Sequence, residues 1–309
     1  MAEQARVALV KIPDGTTGEE LETARIAAVR SVIDQLGCNP VAGKRVLLKP
    51  NFNTADPAPG STPNNTWTTM VQKLREMGAR DVALVERSGP PLTVDVLAAK
   101  GVPPLLAELG CEFIDLDEHD VEDWVKFVPE GGHWPDGFIY PRVIRDAECI
   151  VTTCCLKTHR MGGVFSLSLK LAVGLVPRRG YNYMHQMHYS PHMRKMIAEI
   201  NLCYQPSLIV LDGVHAFVTG GPEIGERVQA NVMVAGTDRV AVDAVGLAVL
   251  KLLGTTPEIQ DHPIFSQEQI AHAAKLGLGV SSPEQIEIVT ADAESALYAD
   301  KLRQILSQG

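Results

Sequence analysis

The feature that most constrains the fold is a regular alternation of apolar runs with amphipathic stretches. The segments RVALVKI (6–12), RVLLKPNFN (45–53) and DVALVERSG (81–89) are aliphatic and β-branched, as is typical of buried strands. Between them lie TTGEELETARIAAVRSVIDQLG (16–37) and STPNNTWTTMVQKLREMGA (61–79), which have the pattern of helices ended by glycine. A repeated strand–helix–strand order requires a mostly parallel sheet with helices on its faces. The sequence therefore predicts an α/β fold.

One segment interrupts this order. Residues 118–147 combine acidic residues and glycines with three prolines and two tryptophans. Strands are again predicted after it, at AECIVTTCC (147–155), SLIVLDGVHAF (207–217) and ANVMVAGTD (230–238). We predict two lobes: an N-terminal α/β lobe at 1–117, and a C-terminal α/β lobe at 148–309 that carries the histidine and lysine motifs. Residues 118–147 would be a linker or a hairpin excursion between them.

Polar residues that follow a strand are the first candidates for a site. Open parallel sheets bind ligands in the crevice beyond the carboxyl ends of their strands. Lys49, Asn51 and Asn53 follow the second predicted strand in this way and are predicted to bind a substrate or cofactor.

The segment KTHRMGG (157–163) is the richest in chemistry. We expect its strand to end near Leu156, so that Lys157 and His159 lie at the strand mouth, with a diglycine that allows close backbone approach. SLSLKLAVGLV (166–176) is predicted to be a helix with Lys170 near its start, which suits an anion or a carboxylate. Arg178 and Arg179 follow and are further predicted anion ligands. The alternative is a solvated basic loop.

Three histidines follow at positions 185, 188 and 192. Spacings of three and seven residues would place them on one face of a continuous helix, but Ser190-Pro191 predicts a new helix start. His185, His188 and His192 are predicted to bind a transition metal, and imidazole does not distinguish nickel, iron, zinc or copper. A chance surface cluster is the alternative.

Asp212 lies near the end of a predicted strand in LDGVHAFVTGGPEIGE (211–226). It is predicted to orient a histidine or a metal ligand through a hydrogen bond. The alternative is an aspartate that caps a turn before glycine.

Composition limits the partners. A net charge of −9 argues against a nucleic-acid-binding surface, which needs a basic face. No apolar run has the roughly 18 residues of a membrane span, no leader pattern is present, and six cysteines form no disulfide framework. We expect a cytoplasmic protein that binds a small anionic substrate without nucleic acid or membrane, and we leave a homo-oligomer open.

Four blocks resemble a known family. LLKPNFN, KTHRMGGVFSLSLKLAVGLVP, LIVLDGVHAFVTGGPEIGE and GTDRVAVDAVG are similar, in that order, to the blocks of the domain of unknown function 362 family, and they span nearly the whole chain. Many members carry a ferredoxin-like segment with several Cys-x-x-Cys units. This chain contains no such iron–sulfur motif.

A fainter likeness is to the nickel-pincer lactate racemase family, in which a histidine, glycines, a lysine and a second histidine follow one another. This chain has His159, the diglycine, Lys170, and then His185 or His188 in that order. The likeness implies a proton-transfer base at His159, a cofactor anchor at Lys170 and a metal ligand at His185.

Two functions follow as expectations. The first is a metal-dependent enzyme, an isomerase or an oxidoreductase, that acts on a small carboxylate or other organic anion. Its catalytic residues would be His159, Lys170 and Asp212. The second is a non-catalytic protein that binds an anion or a cofactor, or serves as a redox accessory.

Overall fold

A computed structural model describes residues 4–308 and shows a sheet of nine strands surrounded by helices. Eight strands lie in the order β11-β1-β10-β9-β7-β2-β3-β4, and β8 pairs with β7 outside this path. The strands, including two that form a separate hairpin, are β1 (Ala5–Lys11), β2 (Arg45–Lys49), β3 (Asp81–Glu86), β4 (Glu112–Asp115), β5 (Trp124–Phe127), β6 (Phe138–Pro141), β7 (Cys149–His159), β8 (Val164–Phe165), β9 (Leu208–Gly220), β10 (Gly225–Gly236) and β11 (Ile286–Val289).

Helices cover both faces of the sheet. They are α1 (Gly18–Gln35), α2 (Asn64–Glu76), α3 (Thr93–Ala99), α4 (Val102–Leu109), α5 (Arg142–Arg145), α6 (Ser168–Leu171), α7 (Tyr183–His188), α8 (Met193–Ile200), α9 (Arg239–Leu253), α10 (Pro257–Gln260), α11 (Glu268–Lys275) and α12 (Ala293–Ser307). Within residues 4–308, no helix has both the length and the apolar character needed to cross a membrane.

The sheet is mostly parallel, which confirms the predicted α/β class. Of the eight strands along the main path, only β10 runs against the others, because it pairs antiparallel with both β1 and β9. Alternate side chains of a strand point to opposite faces, so Ala8 packs with α1 and α2 while Leu9 packs with α9 and α12. The central strand β7 is buried along its whole length, as expected for a strand covered on both faces.

The two predicted lobes contribute to the same sheet. Strand β1 lies between β10 and β11, so one strand from 1–117 is inserted among strands from 148–309, and β2 pairs with β7, so the remaining strands of 1–117 continue the same sheet. The intervening segment 118–147 contains the antiparallel β5–β6 hairpin and the short helix α5. The proposed boundaries as separate folding units stay a prediction.

Three local expectations near the site differ from the structure. Strand β7 continues past Leu156 to His159, because β8 and β9 pair with its last residues. The predicted helix at 166–176 is a single α-turn, α6, followed by a 3₁₀ turn. Helix α8 begins at Met193 instead of Pro191, although the Ser190 hydroxyl does accept a bond from the His192 N–H at 3.0 Å.

Candidate functional site: a buried cationic pocket

A cavity of about 470 Å³ opens where β2, β3 and β7 end. This is the carboxyl edge of parallel strands, where such sheets place their ligands. The polar residues that line the cavity include Lys49, Asn51, Asn53, Glu86, Arg87, Lys157, His159, Lys170, Arg178, His188 and Glu223. The structure thus brings together most of the residues that were predicted to bind substrate or cofactor, along with two of the three predicted catalytic residues.

Strand β7 supplies Lys157 and His159. They are two residues apart, so both side chains reach the same cavity. The Lys157 amine donates to the Gly60 carbonyl oxygen at 2.7 Å, and Nδ1 of His159 is buried with no hydrogen-bond partner within residues 4–308. His159 therefore has an unused polar atom.

Gly163 of the diglycine leaves room for the His159 ring and does not form a ligand-binding surface. A Cβ atom at Gly163 would lie only 2.7 Å from Nδ1 of His159, so the imidazole packs directly on the Gly163 backbone. The next residue, Val164, has φ of 67°, a left-handed conformation that costs a β-branched residue on the order of 1–3 kcal/mol. The strained turn returns the chain to pair with His159 through β8.

Lys170 enters the pocket from α6, which is anchored from the other side by Asp243 of α9. The Asp243 carboxylate accepts the Ser168 N–H at 2.8 Å, the Ser168 hydroxyl at 2.5 Å and the Leu169 N–H at 3.0 Å. These bonds satisfy N–H groups that a helix start leaves free. Asp243 therefore fixes the turn that carries Lys170.

Lys49, Glu86 and Arg87 form the wall contributed by β2 and β3. The Lys49 amine and the Glu86 carboxylate form a buried ion pair at 2.5 Å. Arg87 donates to the carbonyl oxygens of Ser88 at 2.8 Å and Val173 at 2.5 Å, and its buried Nε has no partner in the described chain. Burial lowers the pKa of Arg87 to about 10, which leaves it charged at neutral pH.

Positive charge is in excess within the pocket. Glu86 is paired with Lys49, Glu223 is paired with Arg160, and Arg178 is paired with Asp117. Across residues 4–308, three buried cationic side chains of the pocket form no salt bridge at all: Arg87, Lys157 and Lys170.

These neighbours perturb the proton affinities of Lys170 and His159. Burial, with added repulsion from Arg87 and Lys157, lowers the pKa of Lys170 to about 7. Burial and the charge of Lys170 lower the pKa of His159 to about 2, so this imidazole is neutral at neutral pH. An anion in the cavity would raise both pKa values, because it favours the charged form of each group.

The three predicted metal-binding histidines do not share one site. His188 lines the pocket, and partial burial together with Lys170 lowers its pKa. His185 is exposed and stacks on Tyr189 with ring centroids 4.3 Å apart. His192 packs against His133, with ring centroids 4.5 Å apart.

Asp212 and Arg179 also lie outside the pocket lining. The Asp212 carboxylate accepts bonds from Thr66 at 2.6 Å, from Arg25 at 3.3 Å and from the Val214 N–H at 3.1 Å. Asp212 is therefore the buried ion-pair partner of Arg25 and does not face the cavity. The exposed Arg179 lines a neighbouring cavity instead.

Sequence reasoning did not select Arg87 or Asp243. Arg87 follows β3 directly, so the strand-end rule that selected Lys49 could have found it. Asp243 lies inside α9, 75 residues from Ser168, and no local pattern connects the two.

Comparison with known proteins identifies the family of this chain. Residues 46–248 match the family described as domain of unknown function (DUF362). The chain belongs to this family. It is also 26% identical over 290 residues to the thylakoid-associated protein sll1697 of Synechocystis sp., an alignment that covers 85% of this chain and 81% of that protein.

The racemase-like arrangement is met only in part. His159 and Lys170 line one pocket, as that likeness implies, but His185 lies outside the lining. Of the two histidines that could follow the lysine in that pattern, His188 is the one that lines the cavity.

Proposed function

We propose that the protein binds a small organic anion, such as a carboxylate, in this pocket and moves a proton on it. The observation that carries the proposal is the set of three buried cationic side chains without salt bridges: Arg87, Lys157 and Lys170. A buried charge that no carboxylate balances is unfavourable, and an anionic ligand would offset that cost for Arg87 and for the charged forms of Lys157 and Lys170. The volume of about 470 Å³ is in the range of small-molecule sites.

His159 and Lys170 have complementary roles in this proposal. When the anion binds, the pKa of Lys170 rises and its amine holds the anionic group as an ammonium. His159 lines the cavity with a neutral imidazole, which is the form that accepts a proton from the substrate. The reaction class, isomerase or oxidoreductase, stays a prediction from the sequence.

A metal in the pocket also stays a prediction. His188 is the predicted ligand that lines the cavity, and the neutral His159 is a second imidazole nearby. A borderline transition metal accepts such donors. The proposal of anion binding does not depend on this ion.

The alternative is a non-catalytic protein that holds an anion or a cofactor in the same pocket. Calorimetry with 2-hydroxy acids, 2-keto acids and phenolic acids tests the binding that both functions share. We expect binding that weakens by at least about tenfold in Lys157→Met and in Lys170→Met, since each removes a charged contact of about 1.5–3 kcal/mol. Lys44→Met, at an exposed position outside the pocket, is the matched control.

Proton exchange separates the enzyme from the binding protein. In D₂O, a bound acid that loses a C–H proton to His159 exchanges it for deuterium, which proton NMR detects. We expect exchange with the wild type and at least about 100-fold slower exchange with His159→Gln. Binding without exchange for every acid in the panel would support the non-catalytic alternative. No binding of any acid would refute the proposal.

Location and assembly stay predictions. The similar Synechocystis protein is named thylakoid-associated, whereas the sequence of this chain predicts a cytoplasmic protein. Cell fractionation tests the location, and light scattering after gel filtration tests for a homo-oligomer.

A further inference from the structure

A second cluster of side chains, apart from the pocket, has the composition of a metal site. His133 lies between β5 and β6, Glu199 lies on α8, and His272 lies on α11. One ligand atom of each lies within 4.8 Å of the ligand atoms of the other two. None of the three residues lines the anion pocket.

Glu199 is the centre of this cluster. Its side chain is fully buried, and it forms no salt bridge with a lysine or arginine of residues 4–308. Its Oε1 atom lies 2.5 Å from Nδ1 of His133 and 3.1 Å from Nε2 of His272. A buried carboxylate needs positive charge nearby, and among the described residues the side chains that bond to this one are two imidazoles.

The carboxylate is also held in place. Its second oxygen, Oε2, accepts the His133 backbone N–H at 2.9 Å, which leaves Oε1 directed at the two imidazoles. Ligating carboxylates are oriented by hydrogen bonds of this kind.

We propose that His133, Glu199 and His272 bind a divalent transition-metal ion, with zinc as the best fit. Two imidazoles and one carboxylate are a zinc ligand set, and zinc bonds of 2.0–2.2 Å place neighbouring ligand atoms about 3.3 Å apart in a tetrahedron. Movements on the order of 1 Å bring the present donors to that spacing.

His192 borders the cluster. It is exposed, and its ring packs on that of His133. It precedes α8, the helix that carries Glu199, and follows α7, which carries His188 of the pocket. The ion therefore joins the loop of the β5–β6 hairpin to α8 and α11 as a structural cross-link.

The test uses the full chain purified without a histidine tag, stripped with EDTA and reloaded with zinc. We expect about one zinc per chain by elemental analysis, and a Tm increase of at least about 3 °C on loading. Chelator competition should show zinc affinity at least about 100-fold weaker in Glu199→Gln and in His272→Asn. His262→Asn, at an exposed histidine outside the cluster, should bind zinc as the wild type does.

Glutamine has nearly the same shape as glutamate, so we expect the Glu199→Gln variant to fold. It therefore tests the proposal even if His272→Asn does not fold. Zinc bound equally well by the wild type and by Glu199→Gln would overturn the proposal, because other surface histidines would then hold the ion. Wild-type protein that retains well below one zinc per chain would also overturn it.

Discussion

Replacing Lys170 by methionine removes a buried amine that carries no salt bridge within residues 4–308. Its pKa falls from 10.5 in an ordinary lysine to about 7 in the folded protein, chiefly through burial. Between these two values the unfolded chain binds a proton that the folded protein does not. The free energy of unfolding therefore rises with pH through this window, while below pH 7 the charged amine imposes its full penalty.

The magnitude follows from the two pKa values. Proton linkage gives about 2 kcal/mol of added stability in the wild type between pH 7 and pH 9 from this group. Methionine does not titrate, so Lys170→Met lacks this increase. The variant should also be more stable than the wild type at pH 6, by at most about 5 kcal/mol.

Urea unfolding measured at each pH unit from 6 to 9 tests this expectation, in buffers without phosphate or carboxylate anions that would occupy the pocket. Changes from other groups largely cancel in the difference between variant and wild type. Lys44→Met, at an exposed position outside the pocket, is the matched control. A Lys170→Met difference that is equally constant would refute the reasoning, because the amine would then have an ordinary pKa.

Three other substitutions probe the supports of the site. Gly163→Ala places a Cβ atom 2.7 Å from Nδ1 of His159 and therefore displaces the imidazole. We expect substrate proton exchange to slow at least about tenfold. Unchanged exchange would argue against His159 as the base. Asp243→Ala leaves two buried N–H groups of α6 without a hydrogen-bond partner. We expect the free energy of unfolding, measured in urea, to fall by about 2 kcal/mol. An unchanged free energy would show that other contacts hold α6 in place. Asp212→Ala removes the buried carboxylate partner of Arg25, which then keeps only the longer contact of 3.7 Å with Glu22, and should cost at most about 3–5 kcal/mol in stability. Anion affinity in the folded Asp212→Ala variant should stay within about twofold of the wild type by calorimetry, and a larger loss would make Asp212 part of the site.

The fold was predictable because strand and helix periodicities are local properties of the chain. The same alternation that predicts strands at 6–12 and 45–53 produces β1 and β2. The end of β7 was not predictable in this way. It is set by pairing with β8 and with the long strand β9, and the Lys157 partner Phe217 is distant in sequence.

Part of the site was predictable from one rule of topology, that parallel sheets bind ligands at the carboxyl ends of their strands. Lys49 and His159 end parallel strands, so their convergence follows from the sheet. The grouping of His133 with Glu199 and His272 has no such rule, because His133 and His272 are 66 and 73 positions from Glu199 and meet it where the β5–β6 loop and α11 pack on α8. The break between the helices that carry His185 and His192 was predictable from Ser190-Pro191, and Tyr189–His192 do separate α7 from α8, but the different neighbours of the three rings were not.

The interleaved sheet has a consequence for synthesis on the ribosome. Strand β1 emerges well before both of its sheet partners, β10 and β11, which lie beyond residue 224. Its edges therefore stay unpaired until most of the chain has been translated, and during that time an apolar strand is open to association with other chains. Nascent chains halted before β10 should thus depend on chaperones more strongly than chains halted after β11.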